Sequence, residues 1–139
     1  LMTPYQYTYL NLLNGKSESR YKKFENDYWG ASIKELINKI DLNKDKKIKF
    51  SGCGINKLNT KSYLKNAGYQ NFVFVSPEES DYIIMTNRAV LHSHDIALKY
   101  SKKDVKTIKL INCFDKFKGK NIFKVERNGI LLSTIRKNQ

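Results

Sequence analysis

Apolar positions in this chain change period several times, and each change marks a new element. Ile33, Leu36, Ile37 and Ile40 fall at i, i+3, i+4 and i+7, the spacing that lays one apolar stripe along a helix. Ser32-Ile33-Lys34-Glu35 fits a capping box at its start, so a helix is expected from there to about 41–43. Residues 47–51 alternate charged and apolar side chains and read as a strand ended by Gly52 and Gly54. Asn59 is placed to cap a short helix over 60–66, closed by Gly68. The continuous apolar run 72–75 is what a strand buried on both faces carries. Residues 76–80 form a connector or a single helical turn, and 82–86 the next strand. This β-α-β-turn-β order predicts a small, partly parallel sheet with helices against it.

Past Arg88 a short helix is expected over 95–100 and a long strand over 105–114. Asn128-Gly129 between the alternating runs 122–127 and 130–136 is the strongest short-range hairpin signal, placing a terminal β-hairpin in 120–136. At the other end, Pro4 suits a first helical turn and Gly15 can end a helix, so 4–14 is expected helical and 16–23 a polar loop. The expected fold class is α/β. It has a mixed, partly parallel sheet, two or three flanking helices and a final antiparallel hairpin, in one domain over 1–139.

Composition narrows the class. With 139 residues, 40% apolar residues and seventeen aromatics, the chain can fill a core, which excludes a disordered tail. Two Pro and seven Gly exclude collagen-like and low-complexity classes. No apolar run approaches the roughly 20 residues of a membrane helix. No basic segment followed by an apolar one opens the chain, so no secretory signal is read there, and Leu1-Met2-Thr3-Pro4 reads as a cut from something longer. A formal charge of +13 ordinarily points to nucleic acid or an anionic membrane surface. Of the 26 basic residues, however, only Arg20, Arg88, Arg127 and Arg136 are Arg. Lys, Asn, Ile and Tyr are over-used together, as A/T-rich codons would dictate. Sequence-reading proteins favour the planar fork of Arg. Lys47-Ile48-Lys49-Phe50 and Lys106-Thr107-Ile108-Lys109-Leu110 look like solvated strand faces. No specific nucleic-acid partner is expected.

Candidate chemistry is sparse. His92-Ser93-His94-Asp95 gathers metal-binding groups, but the chain has no third His, and a turn role is expected. Asp41-x-Asn43-x-Asp45 imitates the start of a calcium loop, yet Lys46 and Gly52 stand where Gly and a bidentate Glu are needed. No metal site is expected, and no cofactor. Cys53 and Cys113 each close a candidate strand. A reducing compartment would leave them as small buried hydrophobes, and an oxidising one could join them if the strands are neighbours. Free thiols are the expected state. Ser51-Gly52-Cys53-Gly54-Ile55 matches neither the dinucleotide nor the Walker pattern, and no Gly-x-Ser-x-Gly elbow occurs. Glu78, Glu79 and Asp81 read as loop polarity.

Seven aromatics fall in the first 30 residues: Tyr5, Tyr7, Tyr9, Tyr21, Phe24, Tyr28 and Trp29. Pro4-Tyr5-Gln6-Tyr7-Thr8-Tyr9-Leu10-Asn11 is similar to a Pro-Tyr-Gln-x-x-Tyr-x-Asn segment, and Phe24-Glu25-Asn26-Asp27-Tyr28-Trp29-Gly30-Ala31-Ser32 to Phe-Glu-x-Asp-Tyr-Trp-Gly-x-Ser. In this order they resemble the region after the last membrane helix of bacterial polytopic glycosyltransferases, the protein-mannosyltransferase-like branch of the GT-C superfamily. Val125-Glu126-Arg127-Asn128-Gly129-Ile130-Leu131 resembles that family's terminal hairpin. Thr3 stands where the family often has His, and Ile130 where it often has Pro.

The resemblance implies a parent enzyme that transfers a sugar from a polyprenyl-phosphate donor on the extracytoplasmic (periplasmic) face of the cytoplasmic membrane. Its catalytic acid would lie in an early loop between membrane helices. This segment would then be a non-catalytic C-terminal domain, with 1–30 nearest the membrane. Its partners would be the membrane portion of the parent chain, an anionic lipid surface and a sugar acceptor. Tyr5, Gln6, Asn11, Asp27, Tyr28 and Trp29 are the binding candidates this implies. Tyr28 and Trp29 equally suit core packing, and Asp27 a helix cap. The alternatives are a free-standing basic nucleic-acid-binding domain and a small enzyme with an unrecognised site.

Overall fold

The computed structural model describes residues 32–91 and 110–139. Their elements are α1 (Ser32–Lys39), β1 (Ile48–Cys53), α2 (Lys57–Asn66), β2 (Phe72–Phe74), a 3-10 turn (Pro77–Glu79), β3 (Tyr82–Thr86) and β4 (Ala89–Leu91). These are followed by β5 (Leu110–Asn112), α3 (Cys113–Lys116), β6 (Asn121–Arg127) and β7 (Ile130–Lys137). Five strands form one mixed sheet in the order β2-β1-β3-β7-β6. β1 runs parallel to both β2 and β3, whereas β7 lies antiparallel between β3 and β6. β4 and β5 pair separately and antiparallel. The architecture is the α/β one expected, with the terminal hairpin built into the main sheet. The expected elements over 4–14, 16–23 and 95–100 lie outside the described residues. No helix among the described residues is long and apolar enough to cross a membrane.

The α1 stripe packs as its spacing requires. Ile33, Leu36, Ile37 and Ile40 are all buried, in one cluster with Ile84, Val125, Ile130, Leu132 and Ile135. At roughly 1.5–3 kcal/mol per fully buried aliphatic side chain, that stripe decides where the helix lies. Glu35, expected in a capping box, reaches across to the hairpin. Its Oε2 accepts from Arg127 Nη2 at 2.6 Å, and Lys39 Nζ stands 3.1 Å from Oε1.

Alternation along β3 buries both of its faces. Ile84 joins the helix-side cluster, while Ile83 and Met85 join Cys53, Cys113 and Phe114 on the other side. β3 is therefore buried on both faces, as is β7 through Ile135 on one side and Leu131 on the other. The run at 72–75, expected to hold that place, is instead the edge strand β2 with half-buried side chains. Phe72 and Phe74 turn toward Phe50, with ring centroids 6.2 and 6.0 Å away, so apolarity there serves one face.

Element boundaries and pairing differ from expectation in several places. α2 begins at Lys57, because Asn56 caps it: Asn56 Oδ1 accepts from Asn59 N at 3.0 Å. Asn59 is thus the capped residue. The strand expected over 105–114 has turned into α3 by Cys113, since Asn112 Oδ1 accepts from Phe114 N at 2.9 Å and starts a helical turn. In the hairpin the pairing shifts between Val125 and Glu126, and this bulge lets Leu132 and Ile135 share one buried cluster despite their odd spacing.

Candidate functional site

Open α/β sheets bind ligands outside the carboxyl ends of parallel strands, where successive connections diverge. Here the chain leaves β1 for α2 and β2, on one side, and leaves β3 for β4 on the other. The crevice should lie between Gly54 and Thr86. It is packed shut. Thr86 Oγ1 donates to the Gly54 carbonyl at 2.6 Å, and Asn112 Nδ2 donates to Asn87 Oδ1 at 2.7 Å. Gly54 has φ +69°, and a Cβ there would stand 2.6 Å from Thr86 Oγ1 and 2.9 Å from Arg88 Cβ.

At the centre of this joint Cys53 and Cys113 form a disulfide, with Cα atoms 5.8 Å apart. The free-thiol expectation is corrected here. β5 pairs with β4 and sets Cys113 N against the Arg88 carbonyl at 2.8 Å, which brings Cys113 beside the end of β1. That proximity depends on residues 60 apart in sequence, so periodicity could not foresee it. Both cysteines are buried.

The opposite end of the sheet is open. A groove of about 540 Å³ runs past the starts of β1 and β3 and the end of β7. Lys46, Lys47 and Lys137 line it together with Glu78, Glu79 and Asp81. Its floor is held firmly. Asp81 Oδ2 accepts from Lys49 N at 2.9 Å, and Asn138 Nδ2 donates to the carbonyls of Pro77 (2.7 Å) and Ser80 (3.0 Å). Charges of both signs beside Leu42, Ile48 and Tyr82 give the groove a mixed lining. The acidic group at 78–81 reads as loop polarity in the sequence. Lys137, more than fifty residues away, lines the same groove only because β7 lies beside β3 in the sheet.

Of the residues singled out from sequence, Tyr5, Gln6, Asn11, Asp27, Tyr28 and Trp29 lie outside the described residues, as do His92, His94 and Asp95. Asn43 Oδ1 accepts from Asp45 N at 2.9 Å, which makes 41–45 a side-chain-braced turn. Among the described residues no three His, Cys, Asp or Glu side chains are grouped so as to hold a metal ion. Compared with protein-family models, curated proteins and solved structures, the chain matches none.

Proposed function

We propose that this chain is a non-catalytic extracytoplasmic domain of a membrane glycosyltransferase that uses a polyprenyl-phosphate-linked sugar. The observation that carries the location is the Cys53–Cys113 disulfide, a bond that persists in oxidising compartments and is rare in the cytosol. The resemblance of residues 3–32 carries the parent activity. The hydrogen bonds and the disulfide across the ends of β1 and β3 support a scaffolding role, since they tie together the usual ligand position of such a sheet. In this reading Tyr5, Gln6, Asn11, Asp27, Tyr28 and Trp29 face the membrane portion of the parent chain, and the polar groove offers itself to a sugar acceptor.

Two measurements test it. The reading frame upstream of Leu1 should encode several apolar stretches of about 20 residues, with an Asp or Glu in the first outside loop. In intact cells, alkylation before and after reduction should modify Cys53 and Cys113 only after reduction. A start codon at Met2, or thiols that label without reductant, would overturn the reading.

A further inference from the structure

The helix α2 breaks local rules in a consistent direction. It carries Lys57, Lys61 and Lys65 and no acidic residue. Lys57 sits in the first turn, where the helix dipole disfavours a cation. The three lysines follow at i, i+4 and i+8, so neighbours along the helix repel. Of the three, only Lys65, in the last turn, stands where the dipole favours a cation.

At about 100° per residue the lysines span an arc of roughly 80°, and Leu58 lies at the margin of the same arc. Leu58 is 78% exposed, more than any other large apolar side chain among the described residues. On the other margin, next to Lys57, the helix turns into the core through Thr60 and Leu64. Lys44 prolongs the basic stripe past the end of the helix, with its Nζ 5.1 Å from the centre of the Tyr69 ring.

We propose that this flank of α2 docks on an anionic phospholipid surface, with the lysines among the headgroups and Leu58 dipping toward the acyl boundary. Charge complementarity selects an anionic partner, and the exposed leucine selects lipid over nucleic acid. The stripe contains no Arg fork for phosphate or guanine. The Phe74 ring beside the stripe has Lys61 Nζ 5.8 Å from its centre, which competes with stacking of a base there. The inference deepens the proposed membrane location and rests on it for its biological setting.

Co-sedimentation of the full 139-residue chain with vesicles tests it. The chain should bind vesicles of phosphatidylcholine with about 30 mol% phosphatidylglycerol and not phosphatidylcholine alone. Replacing Lys57, Lys61 and Lys65 together by Ala should weaken binding about 100-fold, at about fivefold per lysine. Lys118, Lys120 and Lys124 replaced by Ala remove the same charge elsewhere and should change it less than about threefold. Leu58→Ser should weaken binding severalfold at low and high salt alike. A thermal midpoint no lower than that of the parent chain shows that each variant is folded, because all of these side chains are exposed.

Equal losses in the two triple variants would mean diffuse charge and overturn the proposal. So would absence of binding to the anionic vesicles, or tighter binding of a single-stranded oligonucleotide through the same lysines. Failure here beside an upstream frame rich in membrane helices removes only this inference. Vesicle binding through α2 beside a start codon at Met2 removes only the parent-enzyme reading.

Discussion

Arg136 shows how a cation can be structural in so basic a chain. It is only 9% exposed, and its Nη1 donates to the carbonyls of Phe114 (2.8 Å) and Phe117 (2.6 Å). Its Nε donates to Asn121 Oδ1 at 2.7 Å, and the guanidinium lies 5.6 Å from the Phe114 ring centre. One planar fork thus holds α3 and the start of β6 to β7. A lysine cannot reproduce that fork, and its ammonium is more strongly hydrated. Arg136→Lys is therefore expected to cost about 2–4 kcal/mol in a urea titration, through lost charge-assisted hydrogen bonds and a poorly satisfied buried charge. A loss under about 0.5 kcal/mol would show that the fork contributes little. The role of Arg136 was not legible in sequence, where it is one of four scattered arginines, because its acceptors lie on a different element.

Among the elements, those whose signals are local were the legible ones. The α1 stripe is readable because a 3.6-residue period and a buried face are the same fact. The hairpin is readable because Asn128 and Gly129 must both take positive φ, here 53° and 72°. Gly129→Ala should destabilise the protein by about 1 kcal/mol, measured as a lower denaturation midpoint with an unchanged urea slope. A change in slope would instead point to an altered unfolded or native state. The misplaced elements have a common cause. An apolar run such as 72–75 looks the same at an edge and at a centre, and only strand order tells β2 from β3. Asn56 and Asn59 are both cap-type residues within one turn, and the structure uses Asn56, whose side chain accepts from Asn59 N.

At the scale of the molecule, the disulfide joins β1 to the arm that follows β4, closing a loop of 60 residues. Loop-closure entropy for that length gives up to about 4 kcal/mol, with 2–4 typical. Replacing Cys53 and Cys113 together by Ala should lower stability by about that amount at chemical equilibrium, and reduction of the native chain should do the same. Stability unaffected by both treatments would mean that the β4–β5 arm is held by packing alone. The charge of +13 is also a property of the whole chain, and the structure gives it local form in the α2 stripe. By itself the sequence determined the α/β class, the helix α1, the terminal hairpin and the basic, A/T-biased surface. Each of these follows from residue type and short-range period. The tertiary structure alone decided that β2 is an edge, that Cys53 meets Cys113, that Thr86 bonds across to Gly54 and that the carboxylates at 78–81 share a groove with Lys137. Those are contacts between distant residues, set by strand order and packing, which no local pattern encodes.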